Sequence, residues 1–80
     1  MTELATRFGR AVRRLREERG WSQEQLAEHA DLNRGYVGDL ERGRAMPSLA
    51  TLAKLADALE LRPSALIARF EPSAPGRATS

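Results

Sequence analysis

The side chains able to do chemistry in this chain are mostly guanidinium groups: of thirteen basic residues, Lys54 is the only lysine. Arginine makes planar, bidentate contacts with phosphate and carboxylate. The composition therefore permits nucleic acid as a partner without demanding it. The formal net charge is only +2, and arginine in place of lysine is also what a GC-rich coding sequence produces. Catalysis fits poorly. It needs a nucleophile beside a base and an orienting group, or a metal with about three ligands, and the chain has no cysteine and one histidine, His29. His29 lacks a ligand partner nearby and reads as solvated, while the carboxylates are scattered among arginines. No glycine-rich phosphate loop follows a strand. The expectation is a protein that is not an enzyme, with no cofactor, no metal and no small-molecule ligand. What remains is the stretch "NRGYVGDLERGR", residues 33–44, with Arg34, Asp39, Arg42 and Arg44 around Gly35 and Gly38. It is either a helix that enters a groove of DNA or a weak helix that fills space.

The surrounding elements have to decide. Eighty residues without cysteine allow one domain that stands on its hydrophobic core alone. Leu and Ala dominate that core, and the bias favours helix over strand. A first helix is predicted over 2–19, with Leu4, Phe8, Ala11, Val12 and Leu15 on one stripe, Gly20 as its left-handed cap and Trp21 as an apolar plug. Ser22 and Gln25 have the form of a capping box for a second helix over 23–29, with Leu26 and Ala27 inward. Asp31 tolerates positive φ in the connection, and Asn33 is a strong N-cap for a third helix carrying Tyr36, Val37 and Leu40 and stopping at Gly43. Pro47 and Ser48 open a fourth, with Leu49, Leu52, Leu55, Ala56 and Leu59 facing inward. Pro63 starts a fifth with Leu66, Ile67 and Phe70 on its apolar side. Residues 71–80, with two prolines and no bulky apolar side chain, read as a disordered tail. The organisation is a folded unit over 1–70 and a tail.

The motifs "LR" before the glycine, "WSQEQLA", "ERG", "PS" and "LAKLADAL", in this order, resemble the phage-repressor-like helix-turn-helix family, the XRE and Cro type of regulator. The resemblance spans roughly residues 5–70. It implies an all-α, five-helix lambda-repressor-like DNA-binding domain, in which the second and third helices form the helix-turn-helix and residues 33–41 enter the major groove. Carried over residue by residue, it puts Arg34, Gly35 and Asp39 at base edges. Gln23, Asn33, Tyr36, Arg42 and Arg44 then fall along the phosphate backbone, and Arg16 with Glu41 form an ion pair tying the first helix to the end of the third. Blander readings stay beside these: Gln23 as a solvated first-turn residue, Tyr36 as core packing, Arg42 and Arg44 as an ordinary basic loop. Gly38 and Asp39 also suit a rival, an antitoxin-like or co-regulatory module that binds mainly protein, because glycine weakens a helix and a carboxylate is repelled by phosphates unless it accepts from cytosine N4.

One such domain reads few base pairs, so the resemblance implies a homodimer on an inverted-repeat operator in double-stranded DNA. The fifth helix is the candidate interface, through Leu61, Leu66, Ile67 and Phe70; the alternative is that all four are core. No apolar run reaches eighteen residues, and the expected place is the cytoplasm of a bacterium or phage host, at the nucleoid.

Overall fold

A computed structural model describes residues 2–70 of the protein. Five helices follow one another: α1 (Glu3–Glu18), α2 (Gln23–Ala30), α3 (Arg34–Glu41), α4 (Leu49–Ala58) and α5 (Pro63–Phe70). The tail read over 71–80 lies outside the described residues.

Local chemistry sets the ends of these helices. The hydroxyl of Thr2 accepts from the Ala5 N–H at 3.1 Å, and that of Ser48 from the Thr51 N–H at 3.1 Å. Ser22 and Gln25 close a reciprocal capping box, with bonds of 3.1 and 2.8 Å. Oδ1 of Asn33 accepts from the N–H groups of both Gly35 and Tyr36, at 2.7 and 3.2 Å. Each cap satisfies donors a helix start leaves open, worth about 1 kcal/mol.

Four helices stop in the same way. A left-handed residue follows the last turn, and two N–H groups fold back onto the helix's own carbonyls. Gly20 and Gly43 take this place after α1 and α3, at φ 72° and 75°. Asp31 and Glu60 take it after α2 and α4, at φ 55° and 59°. The two glycines and Asp31 are legible in the sequence; Glu60, a poor residue for that conformation, is not.

In the core, α1 packs on α3 and α5, α2 on α3 and α4, and α4 on α5. Phe8, Val12, Leu26, Val37, Leu40, Leu55 and Leu66 are fully buried between them. Arg19 ties the end of α1 to that of α4 by donating to the Leu59 carbonyl and pairing with Glu60 at 3.3 Å.

Several inward-facing expectations need correcting. Leu4 is exposed and Ala5 is buried in its place, because α3 draws the inner stripe of α1 round toward Ala5 and Gly9. Leu49 is 83% exposed: as the first residue of α4, it has the right helical phase but no neighbour at its level. Leu66 is wholly buried and cannot belong to a surface that meets another molecule. Phe70 is half-buried, its ring edge-on to Phe8 at 5.0 Å, and so is largely committed to the same core. Of the four residues expected at a dimer interface, Ile67 is exposed and Leu61 partly so.

Candidate nucleic-acid interface

The position of α3 is fixed by how closely α1 lets it approach. A Cβ on Gly9 would lie 2.3 Å from the Leu40 carbonyl oxygen and 2.6 Å from that of Glu41. Only glycine allows this contact. The loop that ends α3 is held equally close, with a Cβ on Gly43 falling 3.1 Å from the Thr6 backbone. The glycines that stand out in the sequence are Gly35 and Gly38 on α3, and neither brings two helices together. The residue that lets two helices meet is Gly9, which no local pattern in the sequence singles out.

Beside Gly9, an ion pair fixes the rotation of α3. Arg16 Nε and Nη2 donate to the two carboxylate oxygens of Glu41 at 2.6 and 3.0 Å. Its Nη1 donates to the Trp21 carbonyl at 2.7 Å. The amide of Gln23, the first residue of α2, donates to Glu41 Oε1 at 3.0 Å. The Glu41 side chain is only 2% exposed, yet no buried polar side-chain atom among the described residues lacks a partner. The hydrogen bond to Glu41 is the main reason that the Arg16 guanidinium holds its proton above the ordinary arginine range. One carboxylate therefore joins α1, α2 and α3, and Gln23 is engaged by its side chain in that network. Its backbone N–H at the start of α2 remains open to an anion.

With Val37, Leu40 and Glu41 inward, α3 turns Arg34, Gly35, Asp39 and Arg42 outward. Arg34, Gly35 and Arg42 are exposed and Asp39 is partly so. Arg44, also exposed, follows the left-handed turn at Gly43. Asp39 and Arg42, expected at a base edge and at a phosphate, meet each other: Arg42 Nη2 donates to Asp39 Oδ1 at 3.1 Å. The guanidinium folds back over Gly38, where a Cβ would come within 3.1 Å of it, and its cover leaves Gly38 buried. Gly38 is thus under Arg42 rather than open on the outer surface. Tyr36 is half-buried against the core. Asn33 uses Oδ1 as the cap of α3, and its amide N–H groups make no bond among the described residues.

A contact that sequence reading missed sits at the other end of α2. His29, read as solvated, is exposed but lies flat on Trp21, with ring centroids 4.1 Å apart and planes 9° apart. Arg19 lies 5.4 Å from the Trp21 ring. Trp21 thus anchors the turn into α2 through one polar neighbour on each side of it in sequence.

Two short helices joined by a tight turn, the second locked from behind and bearing arginines in front, define a helix-turn-helix domain. The family model described as Helix-turn-helix matches residues 12–66, more than half of the chain, and the protein belongs to that family. The chain is 46% identical over 59 residues to the immunity repressor protein of Bacillus phage phi105, covering 74% of this chain and 41% of the repressor. It thus spans less than half of that relative. It is 41% identical over 61 residues to the control protein C.BamHI of Bacillus amyloliquefaciens, covering 75% of each chain. Among solved structures it resembles the restriction-modification controller protein C.AhdI from Aeromonas hydrophila, with a TM-score of 0.75, 45% identity and coverage of 78% of this chain and 94% of the controller.

Proposed function

We propose that the protein is a transcriptional regulator that binds double-stranded DNA as a homodimer, with α3 in the major groove. The observation that carries this reading is the fixed presentation of α3: Glu41 is locked to Arg16 and Gln23 behind it, while Arg34, Asp39, Arg42 and Arg44 face solvent in front. Relatives named as an immunity repressor and as a control protein, and the solved restriction-modification controller protein, support it. Arg34 leads the helix and contacts guanine O6 and N7, the commonest bidentate pairing. Gly35 lies at the same base edge and leaves room for it. Arg44, the Asn33 amide, the Tyr36 hydroxyl and the backbone N–H of Gln23 meet phosphates.

The dimer places two copies of α3 about one helical turn apart, roughly 34 Å, on an inverted repeat. Ile67 on the outer side of α5 and Leu61 in the connection before it form its apolar contact. The activity is binding rather than catalysis, and its place is on the DNA of a bacterial or phage-infected cell. No helix of the described residues is long and apolar enough to cross a membrane.

Titration of a random-sequence duplex at increasing salt tests the proposal. Binding weakens steeply, with a slope reflecting on the order of 4 to 8 phosphate contacts per dimer. A flat salt response at micromolar protein would overturn it and leave the protein-binding reading.

A further inference from the structure

On the side of α1 turned away from α3, a cleft of about 290 Å³ opens between α1 and α5. Arg7, Arg10, Arg14 and Arg69 line its rim, and Ala11 and Phe70 supply apolar wall. We propose that this cleft docks an acidic peptide segment of a partner protein, one that offers a single apolar side chain flanked by carboxylates.

Charge and spacing together select that occupant. Arg7, Arg10 and Arg14 follow one another at helical steps of three and four, so they share a face, and like charges so placed oppose the helix they sit on. Elsewhere on α1 arginines are offset by carboxylates, Arg13 by Glu17 at 3.1 Å and Arg16 by Glu41. At the cleft only Arg7 has a carboxylate partner among the described residues, Glu3 at 2.8 Å. Arg10, Arg14 and Arg69 make no ion pair there. From Arg7 to Arg14 the rim runs about 10 Å along the helix, too far for one small anion to bridge and right for carboxylates spread along a peptide.

The apolar wall argues against a mere polyanion, which would leave Ala11 and Phe70 unused. Phe70 is already braced edge-on by Phe8, so the wall is formed before anything binds. A duplex seated on the outer side of α3 lies beyond the opposite flank of α1, where Gly9 and Arg16 face that helix. A second copy meeting this face about a two-fold axis would bring arginine against arginine, because such an interface uses the same patch twice. The cleft therefore remains open to a third molecule while the protein is dimeric and on DNA.

The test uses fluorescence anisotropy with a short synthetic peptide carrying one tryptophan between glutamates. A second peptide has serine in place of the tryptophan, and a third has glutamines in place of the glutamates. The full chain binds the first with a Kd on the order of 10–100 µM and each of the others about tenfold more weakly or worse. The Arg10→Glu, Arg14→Glu double variant loses that binding by at least about tenfold while its thermal unfolding stays close to that of the parent. Ala11→Phe, which fills the cleft without changing its charge, abolishes the advantage of the tryptophan peptide over the serine one. Equal binding of the tryptophan and serine peptides would overturn the proposal by showing a polyanion surface only. It also fails if random-sequence duplex displaces the peptide, if the double charge reversal abolishes dimerisation, or if no peptide binds.

Discussion

Two carboxylates two residues apart on α3, Asp39 and Glu41, each pair with an arginine, and the two pairs behave oppositely. Glu41 faces α1, where its side chain and that of Arg16 are 2% and 11% exposed and meet at 2.6 Å. Asp39 faces out, where its side chain and that of Arg42 are 47% and 50% exposed and meet at 3.1 Å. The chemistry is the same and the surroundings differ. In the first pair water is excluded, every polar atom is spoken for, and loss of one partner strands a buried charge. In the second, water competes for both groups and the pair is worth little to the fold. The helix thus has a face that must not move and a face free to exchange partners.

The largest effect should come from breaking the inner pair alone. Glu41→Ala leaves Arg16 charged in a site built around a carboxylate and frees the Gln23 amide, which costs about 3–5 kcal/mol of stability by denaturant unfolding. Replacing both, Arg16→Met with Glu41→Met, should recover a large part of that loss, since apolar pairs of similar volume often substitute for buried ion pairs. If the double variant is no more stable than Glu41→Ala, the network's hold on Trp21 and Gln23 outweighs the ion pair itself.

Next in size is Gly9→Ala. A methyl group 2.3 Å from the Leu40 carbonyl cannot be accommodated by a rotamer change, because both sides of the contact are backbone. The helices must part, at a cost of about 1–3 kcal/mol, and the Arg16–Glu41 pair should lengthen as they do. Unfolding midpoints measure the cost, and DNA affinity should fall with the tilt of α3. A neutral Gly9→Ala would mean that α1 and α3 are less closely apposed than the inner pair requires.

The sequence discloses these two faces unequally, and the reason is range. Caps and stops are settled within four or five residues, so Ser22, Asn33, Gly20, Gly43 and Asp31 are all readable from neighbours alone. The Arg16–Glu41 contact joins residues 25 apart; only the family resemblance suggested it, because nothing in either local segment names the other. Gly9 sits inside a good helical pattern, and its meaning lies wholly in α3. Leu66 and Ile67 are adjacent in sequence and both apolar, yet one is buried and one exposed. Periodicity tells which residues share a face but not whether the face meets the core or another molecule. The arginine cleft requires the relative placement of α1 and α5, which no local pattern carries.

Asp39→Asn gives the smallest effect on stability and the sharpest test of the outer face. Loss of an exposed pair should shift unfolding by less than about 1 kcal/mol. In DNA binding the sign reverses: Arg42, no longer held over Gly38 by the carboxylate, gains freedom to reach a phosphate, and one negative charge leaves the surface of α3. Affinity for random-sequence duplex should rise and the salt slope should steepen by up to about one phosphate equivalent per protomer. Preference should relax wherever Asp39 accepts from cytosine N4, because an amide offers a donor as well as an acceptor there. If random-sequence affinity does not rise, Arg42 already leaves Asp39 when DNA binds, and the outer pair belongs to the free protein alone. The inner pair would then be the one arginine–carboxylate contact of α3 that persists in both states.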